Sequence, residues 1–281
     1  MYGILQLINF AHGDVFSLSG LMGSTIILSL FGLTDHSGAG IVIVALAVTF
    51  LVSIVFASTL NAGIELVAYR RLRRAPRLAP LITAVGMSFI LQDAGLIWKS
   101  DYVSVPRLIP NSNVFSIGGV SYGWDKLTVL LITIPVLVAL TWLVTSTRHG
   151  KAMRATSQDT DAAAMMGIDV NRTISFTFAL AGGLAGAAGV LYILLFTTIR
   201  YDQGFQLGLI AFTAAVLGGI GNLSGAVLGA LVIGLIEAFN EGLSWHAPGG
   251  NWTRSLVFGI LIAILVFRPE GILGERTPEG S

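Results

Sequence analysis

Between residues 41 and 61 the chain reads IVIVALAVTFLVSIVFASTLN, without one charged side chain, and this run constrains the fold more than any other feature. A helix of about 20 such residues rises about 30 Å, the depth of a bilayer's hydrocarbon core. Comparable apolar runs recur at 15–33, 81–98, 126–145 and 173–196. With 54% hydrophobic residues and only 11% charged ones, the composition lies far from that of a soluble globular domain. The sequence therefore predicts an all-α, polytopic integral membrane bundle, one transmembrane domain over residues 1–281. The absence of cysteine excludes disulfides and thiolate metal sites.

The charges give this bundle a direction. Arg70, Arg71, Arg73, Arg74 and Arg77 follow the 41–61 run, interspersed with Pro76 and Pro80, and the positive-inside rule assigns that loop to the cytoplasm. In the long segment 99–125 the charges Lys99, Asp101 and Arg107 nearly cancel, so it is expected outside. Arg148, Lys151, Arg154 and Arg172 bring the next polar stretch, 147–172, back to the cytoplasm, and Arg268 and Arg276 place the C-terminus there too. From Phe205 to Phe239 the chain is apolar except at 218–225, GGIGNLSG, a cluster of turn formers. Because 13 helical residues reach only about 20 Å, 207–219 either spans with its turn at the membrane's edge or is a broken, re-entrant element. Runs at 226–239 and 255–267 complete about eight hydrophobic segments, with Trp245, His246 and Trp252 in an outer loop suited to an interface. No basic n-region precedes the first apolar residues, so no signal peptide is read, and an upstream hydrophobic span is expected to be missing.

The stretch 147–172 is the longest polar run between hydrophobic segments. It predicts one short amphipathic helix outside the membrane, with Asp159 as N-cap, Asp161 in the first turn and Gly167 as the stop. Ala162, Ala163, Met165 and Met166 are too apolar for a solvated loop and too few to cross a bilayer. Two readings account for them: a groove on a soluble partner, or packing on the protein's own bundle.

Two stretches share a grammar, INFAHGD at 8–14 and GIGNLSG at 219–225, each placing Asn and Gly before a small-residue helix. Paired interruptions of this kind in the halves of a transporter mark discontinuous helices near a permeation path, whereas a solvated tail would equally explain Asn9, His12 and Asp14. Gly182 and Gly186 form a GxxxG, and Gly221, Gly225 and Gly229 repeat the spacing, which reads as close helix packing. Gln92 and Asp93 interrupt the third run. A carboxylate there faces a protein interior or a water path, and Asp93 is the one plausible buried acid; Glu237 reads as an interfacial charge. No P-loop, HExxH or GxSxG occurs, and His12, His36, His149 and His246 lie far apart, so no catalytic, cofactor or metal site is expected.

INFAHGD at 8–14, Leu91-Gln92, HGKAMRATSQDTDAAAMMGI at 149–168, AAVLGGIGNLSGAVLGALVIGLIEA at 214–238 and FRPEGILG at 267–274 together resemble the inner-membrane permeases of bacterial ABC transporters for branched-chain amino acids, the LivH type. The resemblance implies a non-catalytic permease subunit that pairs with a second permease chain. Two ATP-binding subunits, which bind the ATP, and an extracytoplasmic solute-binding protein complete the expected assembly in the bacterial plasma membrane. It implies further that Asp161, Ala162, Ala163, Met166 and Gly167 belong to the coupling helix that fits a cleft on the ATPase, with Asp161 where the family has Glu. Asn9, His12, Gln92, Gly221 and Asn222 are the candidate translocation-path residues. Relatives carry another span before INFAHG. Urea or short amides are the alternative cargo, and an ion-gradient secondary transporter is the alternative class.

Overall fold

The computed structural model describes residues 9–274 apart from 74, 77, 111, 118–119, 220, 243–249 and 269. The basic residues Arg74, Arg77 and Arg276, and the interface residues Trp245 and His246, thus lie outside the described residues. Among the described residues six helices are long and apolar enough to cross a membrane, and two shorter apolar ones, Gln203–Gly218 and Ser255–Phe267, accompany them. The eight hydrophobic segments of the sequence are therefore eight helical segments. In chain order the helices are α1 (Ala11–Thr25), α2 (Ala39–Ile64), α3 (Leu78–Trp98), α4 (Trp124–Ser146), α5 (Arg148–Gln158), α6 (Thr160–Met165), α7 (Val170–Phe196), α8 (Gln203–Gly218), α9 (Leu223–Gly242) and α10 (Gly250–Phe267). The chain clusters into two compact units, with the division falling inside α8 after Gln206.

In the first unit, α1 is the central element. Ala11, Val15, Leu18 and Leu21 are buried together with Ser17, Ser19 and Ser24, so polar and apolar faces alike are covered by protein. This is why its sequence shows no amphipathic stripe: a helix surrounded by others has no wet face to mark. Helices α2 and α7 pack most tightly. Ala45, Thr49, Ser53, Ala57 and Asn61 form a buried stripe at four-residue spacing along α2. Facing them are Gly182 and Gly186, where a Cβ would meet the carbonyl oxygens of Ala57 and Ser53. Within a membrane the hydrophobic effect does not drive helices together, so such close backbone approach and interhelical hydrogen bonds must do so. The bonds are present: Asn61 Nδ2 donates to Phe178 O at 2.6 Å, Ser53 Oγ to Ser19 O at 3.3 Å and Ser19 Oγ to Ala185 O at 3.3 Å. By contrast, α4 buries no residue.

The segment 99–125 was expected only as a loop, yet it holds β1 (Val103–Ser104), β2 (Asn113–Ile117) and β3 (Val120–Gly123). Strands β2 and β3 form an antiparallel hairpin, while β1 pairs antiparallel with β4 (Thr198–Ile199) beyond the end of α7. Two-residue strands leave no periodicity for a sequence to display. At this end Arg107 N donates to Asp35 Oδ1 at 2.8 Å, joining this segment to the turn between α1 and α2.

The second unit contains the rest of α8 with α9 and α10, around Ala214, Leu217, Ile233 and Val257. Helix α8 stops at Gly218, and Gly219 and Gly221 take the positive φ values of +111° and +92° that L side chains disfavour. Asn222 then caps α9 by accepting from Gly225 N at 3.0 Å and donates through Nδ2 to Leu273 O at 2.8 Å. The backbone of the FRPEGILG segment completes the junction, Ile272 N and Leu273 N donating to Leu217 O and Gly218 O at 2.9 Å each. The interruption read from the glycines is thus a closed, hydrogen-bonded turn, with α8 at 16 residues too short to reach across a ~30 Å core.

Candidate functional site

Where one amphipathic helix was expected in 147–172, the structure has two. Thr147 Oγ1 accepts from Gly150 N at 3.1 Å and starts α5, whose Arg154 donates to the carbonyls of Val144 and Thr145 at the end of α4. A cation on the last carbonyls of a helix satisfies orphan acceptors and complements the helix dipole. The cap at Thr147 could have been read from the sequence. It was masked by the arginines around it, which read equally as a solvated loop.

Helix α6 follows the expected plan closely. Asp159 Oδ1 accepts from Asp161 N at 2.8 Å and Ala162 N at 2.9 Å. Gly167 sits at φ +84°, and the paired bonds Ile168 N to Ala163 O (3.1 Å) and Gly167 N to Ala164 O (3.0 Å) form a Schellman stop. The helix has two faces with different destinations. Ala163 is 4% exposed and packs inward, whereas Met165 and Met166 are 83% and 84% exposed, beside exposed Asp161. Packing on the protein's own bundle therefore accounts for Ala163, while Met165 and Met166 form an exposed, flexible apolar pair. Asp169 Oδ1 then accepts from Arg172 N at 3.0 Å and launches α7.

The two arginine-bearing stretches meet at this end. Arg70 Nη2 donates to Ser175 Oγ at 2.8 Å, and Arg73 donates to Asn171. Both arginines also reach Glu65, a carboxylate with no exposure at all, which accepts from Ser175 Oγ at 2.6 Å as well. The sequence reading passed over Glu65 because it lies just beyond an uncharged run and beside arginines, where an interfacial charge is the ordinary assignment.

The stretch expected as path or tail lies within the first unit. Asn9 and His12 are half-buried and Asp14 is fully buried, so a solvated tail is ruled out for it. Asp14 accepts from Ser88 Oγ at 2.5 Å and from Gln92 Nε2 at 3.1 Å, tying α1 to α3 through the candidate residue Gln92. Asn9 Oδ1 accepts from Tyr69 Oη at 2.9 Å. Asp93, by contrast, is exposed on the surface of α3, while Asp14 and Glu65 are the buried acids among the described residues. The reason is helical geometry: Gln92 and Asp93 are adjacent, so they point about 100° apart, and only Gln92 faces α1. Gly221 and Asn222 belong to the second unit, where Asn222 has the capping duty described above.

At the opposite end Arg200 stacks over the ring of Tyr102 (5.0 Å) and is ion-paired with Asp202. Hydrogen bonding from Arg200 holds the Asp202 carboxyl below the usual carboxylate range, against a smaller opposing effect of burial.

Residues 1–266 match the family model described as the permease component of branched-chain amino acid transport systems. The high-affinity branched-chain amino acid transport system permease protein BraD of Pseudomonas aeruginosa is 38% identical over 283 residues, covering 99% of this chain and 90% of that protein. LivH of Escherichia coli K12, which bears the same description, is 36% identical over 286 residues, 99% of this chain and 89% of its own length. A probable branched-chain amino acid transport permease, LivH of Methanocaldococcus jannaschii, is 28% identical over 275 residues, 95% of this chain and 82% of its own. No solved structure matches. A match of this extent to the family model, joined with the multi-pass helical fold, shows that the chain belongs to the permease-component family of branched-chain amino acid transport systems.

Proposed function

We propose that this chain is the membrane-spanning subunit of an ATP-driven importer for leucine, isoleucine and valine, and that α6 is the helix through which a partner ATPase drives it. The observation that carries the reading is the exposed Met165–Met166 pair on a helix capped at both ends. A six-residue helix is below the length at which an isolated helix persists in water, so its caps and its seat on Ala163 must hold it in place. Presenting two methionines to water costs hydrophobic free energy that a docked partner would recover. In this assembly a second permease chain, two ATP-binding subunits and an extracytoplasmic solute-binding protein complete the transporter. ATP-driven closure of the ATPase pair pushes α6 and switches the permease between outward-facing and inward-facing states. The arginine stretches and α6 lie on the cytoplasmic side, as their shared end and the positive-inside rule support. The names of the relatives supply the cargo. Asn9, His12 and Gln92 in the first unit, and Gly221 and Asn222 in the second, remain the candidate path residues.

Because Ala163 faces the bundle, the docking surface is tested at the methionines. Met165→Asp and Met166→Asp, which alter only exposed side chains, should insert normally while the ATPase subunits no longer co-purify and leucine uptake falls to background. Parental uptake by the double variant at normal expression would remove the docking assignment.

A further inference from the structure

Helix α2 does not end at Ile64 but widens into a π turn, Glu65–Tyr69, followed by a 3-10 turn at Arg70–Leu72. A π turn is rare and is frequently found at functional sites. This one carries two buried polar side chains four residues apart, and they point to different partners. Glu65 accepts from Ser175 Oγ at 2.6 Å and from Arg70 Nε at 3.5 Å, and it is ion-paired with Arg73, which also donates to Asn171. Ser175 and Asn171 lie in the first turns of α7, whose cap Asp169 is two residues past Gly167, the stop of α6. Tyr69 is 3% exposed, sets its ring 5.4 Å from that of Phe178 and donates to Asn9 Oδ1 at 2.9 Å, immediately ahead of α1 with His12 and Asp14.

Stability alone does not explain this turn. A buried carboxylate with its arginines seldom improves on apolar residues of similar volume, because desolvation offsets the Coulombic gain. What the arrangement does provide is a short polar connection, five residues long, from the start of α7 to the entry of α1. We propose that the Glu65–Tyr69 turn is the transmission element between the coupling end and the path, with Glu65 and Tyr69 as positioning residues that make Asn9 follow any displacement of the α6–α7 junction. This rests on the reading of α6 as the coupling helix. A network of hydrogen bonds and ion pairs that has two arrangements is the physical means by which a push at one site reaches another. The directional bonds of Glu65 and Tyr69 can exchange partners between such arrangements, which a purely apolar contact cannot.

The test uses the assembled transporter, with its ATPase subunits and solute-binding protein, in proteoliposomes, reading leucine accumulated per ATP hydrolysed. Tyr69→Phe keeps the ring against Phe178 and removes only the hydroxyl. It should assemble and hydrolyse ATP as the parent does while leucine per ATP falls about three- to ten-fold, the range one hydrogen bond commands. Glu65→Gln should lower the same ratio. A Tyr69→Phe transporter with parental leucine per ATP overturns the proposal. So does a Tyr69→Phe effect confined to assembly, which a merely structural tyrosine would show. Met165→Asp with Met166→Asp is measured alongside: if that pair transports normally, the coupling reading of α6 fails, whereas if it loses the ATPase and Tyr69→Phe is unaffected, only the transmission role fails.

Discussion

Gly167 and Asp14 show how different the demands on single residues are in one bundle. At φ +84° and with open space where a Cβ would project, Gly167 is constrained by backbone conformation alone. An L residue in that conformation costs about 1–2 kcal/mol, a large fraction of what can hold a six-residue helix, and asparagine tolerates it best. Gly167→Leu should therefore insert normally and lose uptake, with Gly167→Asn recovering much of it; equal transport by all three forms would show that the stop is dispensable. Asp14 is constrained by its partners instead. Removing its carboxylate leaves the Ser88 hydroxyl without its acceptor, at a cost of about 1–3 kcal/mol, while Gln92 Nε2 keeps its bond to Ser88 Oγ at 3.2 Å. Asp14→Ala should lower the midpoint of thermal unfolding in detergent well below that of Asp14→Asn, which keeps one acceptor oxygen.

At the scale of elements, the caps decide what persists. Asp159 satisfies two of the orphan N–H groups of α6, and its loss costs about 1 kcal/mol. Hydrogen exchange at residues 160–166 should accelerate in Asp159→Ala while that in α7, held by its own Asp169 cap and the Glu65 network, stays slow. Joint acceleration would mean that α6 and α7 open as one unit. The β1–β4 pair depends on pH through its neighbour. Since Arg200 lowers the folded value for Asp202, the bridge contributes fully above the unfolded carboxylate range, near pH 4, and is lost as pH falls through the depressed folded value. Exchange at Val103 and Ile199 should stay level from pH 8 to about pH 5 and rise only in stronger acid, after correction for intrinsic rates. A rise between pH 8 and 6 would require another group.

For the molecule as a whole, the testable quantity is orientation. The chain has no native cysteine, so single cysteines report cleanly. Placed at exposed Arg71 and Gln158, they should resist impermeant thiol reagents in intact cells, while one at exposed Ser112 should react. Hydrogen bonds from Arg70 and Arg73 to Ser175 and Asn171 place the first two at one end of the first unit, so they should be protected or labelled together. Labelling of Gln158 alone would contradict that shared end.

By itself the sequence determined the medium and the helices: uncharged runs of about 20 residues must satisfy their backbone internally in lipid, which decides secondary structure before any packing is known. It also determined local signals that need no distant partner, among them the Asp159 cap, the Gly167 stop, the break at 218–225 and the packing glycines Gly182 and Gly186. Only the tertiary structure decided which polar residues are interior. Asp14 and Glu65 are buried and Asp93 is not, although all three lie in or beside apolar runs. In a bundle where lipid and protein interior are equally apolar, sequence periodicity does not distinguish a face turned to lipid from one turned to another helix. The same limit separates Ala163, which seats α6, from Met165 and Met166, which stay open. Residue type marked all three as apolar, and only the direction of each side chain from the folded helix turned Ala163 to the bundle and left the two methionines exposed.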